Sequence, residues 1–417
     1  MMFDVIVIGA SLSCLGYLHG LIDSPCFATK RLRVLILADD RSTSTYYPQS
    51  QNVLLEHYGL GGLSNYWHSI IPLSLSTWMN CGEDSDNYLF FLSKFYPQEQ
   101  WNTIYSSSHV PDITQRLFVP RQRIRAGTLI QEIVSRFEKQ LQLLSCHASR
   151  IEYRNGQFTI NSTDHHSFKT RKLVMAAGSL GTPYLLSSLF ECQNLSGTAS
   201  DHVITYHGRY EPRHQSYAAK PKMIKTGYIL ECPLSECRSS IYYSRPSLAD
   251  FTRVDQPILK RITQGLNRNL STLKNISIGT LAEQMYTRAG LQLPSKYFSI
   301  YSQTLAERSY SYSIDKNHSR AILSCNELSI AYSIAEARKK NPWSHGGKFI
   351  PSSFEDKYIP GVHLHGTIGK ASPIRRSIDS LAELSIIDSS VHETIGAEHH
   401  AFRVAYLAYM KGLKVLA

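Results

Sequence analysis

Residues 3–9, Phe-Asp-Val-Ile-Val-Ile-Gly, are almost continuously apolar and end on glycine. A strand exposed on one face alternates polar and apolar residues; one that does not alternate is buried on both faces, as in a parallel sheet. Arg33 to Ala38 repeats the pattern and stops at Asp39-Asp40, with a helix expected between the two runs from about Ser11 to Ile22. The first forty residues therefore read as one β-α-β unit and imply a parallel sheet.

The rest of the chain divides by periodicity. Apolar residues from Gln131 to Gln142 recur at helical spacing, and Ser149 to Ile160 alternates around Asn155-Gly156, a favoured type I′ turn pair. Leu173 to Ala177 is a further buried strand, ended by Gly178 before a helix from about Pro183 to Phe190. From about 206 to 354 the chain is rich in Tyr and Ser with strand-like alternation, as at Ser309 to Ile314 and Ala321 to Ser324, so a separate antiparallel sheet is expected there. Leu384 to Asp388 reads as a strand, and His399 to Gly412 carries Phe402, Ala405, Leu407, Ala408 and Met410 at helical spacing. With no repeat, low-complexity tract or linker, the expected class is α/β. A domain on a parallel sheet is interleaved with an α+β domain on an antiparallel sheet.

Composition excludes several classes. The 417 residues contain no apolar run of the roughly 18–20 residues that a membrane-spanning helix needs. The eight cysteines lack zinc-site spacing, with Cys232 and Cys237 the only close pair. The opening Met-Met-Phe-Asp has no secretion-signal character, so a cytoplasmic protein with reduced thiols is expected. A net charge of +11 favours an anionic substrate and admits contact with a membrane surface. Nucleic acid is not expected, because the densest basic clusters, Arg121 to Arg125 and Arg338 to Lys340, accompany no groove-binding or stacking motif. There is no Walker loop, H-E-x-x-H or G-x-S-x-G, and adjacent His165 and His166 point to opposite faces if extended, so no metal site is expected.

Four segments carry chemistry. The first turn has Gly9, Ser11 and Cys14 where the dinucleotide fingerprint has three glycines; small residues there let the backbone approach a pyrophosphate at a helix N-terminus. Gly59-Leu-Gly61-Gly62-Leu-Ser64-Asn65-Tyr66-Trp67-His68 is a turn-rich loop ending in aromatic and polar groups. Val174-Met-Ala-Ala-Gly178-Ser-Leu-Gly181-Thr182-Pro183-Tyr-Leu-Leu follows, with Asp201-His202 downstream. Last come His363-Leu-His365-Gly366-Thr367 and Asp388-Ser389-Ser-Val-His-Glu-Thr394, with His399 five residues after the threonine.

Together these segments resemble the glucose-methanol-choline oxidoreductase family, most closely its pyranose-oxidase branch. The resemblance implies a Rossmann-like FAD-binding domain from 1–75, 120–205 and 356–417, and a substrate domain from 76–119 and 206–355. It implies noncovalent FAD, because Tyr66 stands where members that tether the flavin have histidine. Cofactor contacts are implied at Gly9, Ser11 and Cys14, and at Asp39 for the ribose, although direct alignment puts Ala38 in that place. The second loop would add Gly61, Gly62, Ser64, Asn65 and Trp67, and other segments Ala148, Gly178, Asp388, Ser389 and His400.

The same resemblance makes His363 the base that takes the hydroxyl proton as hydride leaves the carbon, and His399 the partner that holds the hydroxyl. A histidine with pKa near about 6.5 suits that task at neutral pH. A helix starting at about His399 would aim its positive end at the flavin pyrimidine ring. The implied reaction is oxidation of an alcohol or sugar hydroxyl, with electrons passing to oxygen or a quinone. Two alternatives stay open: a lyase of the same family that binds FAD without redox chemistry, and a non-catalytic relative that has lost FAD, suggested by Ser11, Cys14 and Ala38.

Overall fold

The computed structural model describes residues 2–73, 85–101, 114–212, 222–244, 298–339 and 347–415, less 352–357 and a few shorter stretches within these spans. Cys237 and Lys340, and much of 76–119 and 206–355, lie outside the described residues.

Strand Met2–Ile8 lies centrally in a seven-stranded sheet, hydrogen-bonded on one side to Val34–Ala38 and on the other to Ser167–Met175, both parallel. Val5, Ile6 and Val7 are completely buried, as the non-alternating sequence requires. Leu384–Ile386 pairs parallel with the end of Ser167–Met175. The hairpin Ala148–Arg154 and Gln157–Ser162 completes the sheet, and Asn155 and Gly156 turn it with φ of 51° and 73°, as a type I′ turn demands.

Two boundaries differ from the sequence expectation. The helix expected over 131–142 is Ala126–Arg136, and Leu141–Ser145 is instead a parallel strand on the edge beside Val34–Ala38. Ile130, Phe137 and Leu141 keep helical spacing across the turn between them, so periodicity alone could not mark the change. The helix expected from Pro183 begins at Gly178 and runs to Leu189 with Pro183 inside it. Proline frees the carbonyl four residues earlier, here that of Ser179, and the Thr367 hydroxyl donates to it at 2.6 Å.

A second, ten-stranded sheet is antiparallel throughout its described pairings. Its long strands Ser196–Pro212 and Phe298–Asp315 pair side by side, and a bridge between Ser200 and His365 docks the His363 segment onto the first of them. No helix among the described residues is long and apolar enough to cross a membrane.

One contact joins the two ends of the chain. Helix Leu12–Asp23 crosses the final helix Ala401–Leu413 with backbone touching backbone. A Cβ on Gly16 would lie 2.0 Å from the Ala405 carbonyl oxygen, one on Gly20 1.9 Å from that of Tyr409, and one on Gly412 2.3 Å from that of Tyr17. Glycine in a helix costs about 1 kcal/mol relative to alanine, so these three are kept for the close approach. Gly16→Ala should therefore destabilise the protein by about 1–3 kcal/mol in chemical denaturation despite the better helix propensity; a neutral or stabilising result would refute the contact.

Candidate functional site

A cleft of about 430 Å³ opens where the parallel strands end. Gly9, Ser11 and Ser13 follow the first strand, Asp39 and Arg41 the second, Ala176 to Gly178 the fourth, and Asp388 and Ser389 the last. In open α/β sheets this carboxyl edge is where ligands bind, because strand-to-helix turns present helix N-termini there.

Three helices start at the cleft, and they are finished differently. Helix Gly178–Leu189 is capped by Asp388, whose carboxylate accepts from Gly178 N at 3.0 Å and Thr182 Oγ1 at 2.5 Å. The same carboxylate accepts from Ser390 N at 3.0 Å and Ser390 Oγ at 2.5 Å. With four donors it is spent on joining this helix to the last strand, so although Asp388 lines the cleft, its role is to brace the wall. Ser389 is similarly engaged, by Ser179 Oγ at 2.8 Å and Leu364 O at 3.0 Å.

Helices Leu12–Asp23 and Ala401–Leu413 have neither a side-chain cap nor an acidic residue in the first turn, and Leu12, Ser13, Ala401 and Val404 line the cleft. Ser11 could cap the first, but its hydroxyl turns away and donates to Ala176 O at 3.2 Å. Two positive helix ends thus face one cavity, which suits an anionic group. Gly9, at φ 101°, permits the sharp turn: a Cβ there would lie 2.2 Å from the Ala176 carbonyl oxygen. Gly178, at φ 86°, has nothing within 4 Å of where a Cβ would be.

Other expected cofactor residues fall in two groups. Gly62, Ser64, Trp67, Ala148 and His400 line the cleft. Cys14, Gly61 and Asn65 do not. Cys14 is fully buried in the core, where burial pushes its thiol up to about 12, so the third fingerprint position serves helix packing. Gly61 and Asn65 build the loop internally: Gly61 N donates to Ala10 O at 2.8 Å, and Asn65 Nδ2 to Leu60 O at 2.9 Å.

Asp39 lines the cleft just past the second strand, already partnered. Arg41 Nε donates to both its oxygens, at 3.0 and 2.9 Å, and His147 Nδ1 lies 2.8 Å from Oδ2. Burial pushes its pKa up, but the hydrogen bonds from His147 and Arg41 outweigh this and hold it well below the usual carboxylate range. Arg41 and His147 also line the cleft, and sequence reading missed both. The pair Asp39-x-Arg41 was visible; His147 lies 108 residues away.

At the other end His363, His399 and His400 line the cleft. The His363 ring packs against His400, centroid to centroid 4.3 Å at 70°, and against His202 at 5.4 Å and 87°. Buried Asp201 fixes this corner: its Oδ1 accepts from His202 N at 2.7 Å and His363 N at 2.9 Å, and Oδ2 from Tyr47 OH at 2.6 Å. Burial drives His363 well below 6.5, with nearby His202, His399 and His365 adding to the shift, so the imidazole is neutral at physiological pH. His202 and His365 are lowered by burial to about 4 and about 3. Tyr47 and the His202 ring were not legible as members of this cluster, because four separate segments bring it together.

No protein-family model and no curated protein matches the sequence. Solved structures do match the fold along its full length. Pyridoxine 4-oxidase from Mesorbium loti aligns over 99% of both chains at TM-score 0.51 and 11% identity. An FAD-dependent oxidoreductase from Chaetomium thermophilum aligns over 99% of both at 0.52 and 12%. The chain shares their fold. At these identities the likeness concerns architecture, a parallel-rich sheet joined to an antiparallel one.

His392, beside the cluster, is lowered to about 4 by burial and by the charges of Lys411 and Arg375. Between 4 and 6.5 the unfolded chain binds a proton that the folded one refuses, so stability must fall as pH drops through that window. His392→Gln should reduce the slope of unfolding free energy against pH there by up to about 1.4 kcal/mol per unit; an unchanged slope would contradict the assignment.

Proposed function

We propose that this chain is an FAD-dependent oxidoreductase that oxidises a CH–OH group, an alcohol or a sugar hydroxyl. One observation carries the reading: two uncapped helix N-termini and the ring of His363 share a single cleft at the carboxyl edge of a parallel sheet. The two solved structures named above are oxidoreductases by name, one of them FAD-dependent.

The residues suit the dinucleotide, held noncovalently. The first-turn N–H groups at Leu12 and Ser13 would hold the pyrophosphate, as helix N-termini do, and the Asp39 carboxylate the ribose hydroxyls. Tyr66 and Trp67 wall the cavity, and Tyr66 is edge-on to His57 at 5.1 Å. The N-terminus of Ala401–Leu413 would stabilise negative charge on the ring system. When bound, FAD supplies the hydride acceptor.

The chain's own work is on the proton. His363, neutral and lining the cleft, accepts it from the substrate hydroxyl. Asp201 holds the His363 backbone by accepting its N–H at 2.9 Å, so the ring's starting point is fixed. His399, which lines the same cleft just before helix Ala401–Leu413, orients the hydroxyl. The charge of +11 favours anionic alcohols, with oxygen or a quinone as final electron acceptor.

The purified protein should be yellow, or become so on adding FAD, and a member of an alcohol panel should bleach it anaerobically. His363→Ala should keep the flavin absorbance and slow bleaching by about 100-fold or more, with His399→Asn milder; an unchanged rate in His363→Ala would refute the base. Flavin that binds but is bleached by no alcohol would favour the lyase, and protein that takes up no FAD would sink the reading.

A further inference from the structure

We propose that His202, His363 and His400 form a site for one divalent transition-metal ion of the zinc type, on the inner wall of the cleft. Each residue offers a ring nitrogen, and the three nitrogens lie within 4.8 Å of one another. A tetrahedral ion with bonds of about 2.0–2.1 Å needs its ligand nitrogens about 3.3 Å apart. With the three nitrogens within 4.8 Å of one another, the rings would have to close in by no more than about 1.5 Å on binding.

The proton positions favour ligation. His202 Nε2 lies 2.5 Å from the Gly396 carbonyl oxygen, which can only accept, so Nε2 carries the proton and Nδ1 the lone pair. That is how metal-binding histidines are set: the ring nitrogen away from the ion donates to a backbone carbonyl, fixing tautomer and orientation. His202 Nδ1 is buried and has no hydrogen-bond partner, and His363 Nδ1 is in the same condition. Buried nitrogens left unpaired cost free energy, and here two occur in touching rings. The rings meet at 87° (His202–His363) and 70° (His363–His400), not stacked, so their edges can converge on one point.

The ion would sit where His363 and His400 border the cleft, leaving its fourth position toward the cavity. Its charge would be countered by Asp201, which already accepts the backbone N–H groups of two of the three ligands. An ion bound through His363 would also compete with a substrate proton for that imidazole, so metal would inhibit the oxidation proposed above. The site itself does not depend on that reading.

The test is zinc titration of the full-length protein, stripped of metal beforehand, in competition with a chromophoric chelator. One ion per chain should bind, and His202→Ala and His400→Gln should each weaken it by at least about tenfold. H165A/H166A, which removes an adjacent pair of exposed histidines, should leave binding unchanged. Wild-type binding no tighter than in either cluster variant, or binding lost in H165A/H166A, would overturn the proposal. His400→Gln alters a ring on the cleft wall and decides the matter if His202→Ala does not fold. Because the readout is zinc, a protein that took up no FAD would still answer.

Discussion

Everything at the cleft depends on two helices from opposite ends of the chain touching through glycine. Gly16 and Gly20 let the first helix lie directly on the carbonyls of Ala405 and Tyr409, and Gly412 returns the contact at Tyr17. Side chains at these positions would hold the axes apart, and the two N-termini would no longer open into the same cavity. The packing is van der Waals contact between backbones, so it is rigid and intolerant of even one added methyl. A crossing built from larger side chains could adjust, and would not hold two helix ends at a fixed separation.

Around this frame, polar groups are spent selectively. Asp388 receives four hydrogen bonds and Asp201 three, each joining segments distant in sequence: Asp388 the helix after Gly178 to the last strand, Asp201 the His363 loop to the long antiparallel strand and to Tyr47. The helix start that Asp388 caps is thereby neutralised. The two starts left uncapped are the ones whose field reaches the cavity. Burying carboxylates is expensive unless donors surround them, which explains why both are so fully partnered and why burial still pushes both pKa values upward, Asp201 to about 7.

How much of this was legible in the sequence follows from the range of each interaction. The non-alternating runs at 3–9 and 33–38, the Asn155-Gly156 turn and the Tyr-rich alternation around 309–324 are local signals, and the corresponding strands and hairpin form where expected. Leu141–Ser145 was misread because its first leucine continues a helical stripe, and only the free edge of Val34–Ala38 makes it a strand. At the site, motif spacing brought forward His363, His399, His400, Gly9, Ser11 and Asp39, all of which line the cleft. It also put Cys14, Gly61 and Asn65 there, and these instead support the core and the loop. His147, Tyr47 and the ring of His202 were missed because tertiary pairing across up to 154 residues, as between Tyr47 and Asp201, defines them, whereas Arg41 pairs with Asp39 only two residues away and was open to local reading. The Gly16-x-x-x-Gly20 spacing was in plain view, and its meaning needed the final helix beside it.

The central claim is that both uncapped helix N-termini serve one bound dinucleotide. A crystal structure of the full chain grown with FAD tests it most directly. The account predicts pyrophosphate oxygens within hydrogen-bond distance of the Leu12 and Ser13 N–H groups, and the flavin ring between His363 and the start of helix Ala401–Leu413. FAD bound elsewhere, or a cleft that stays free of it at saturating concentration, would contradict it.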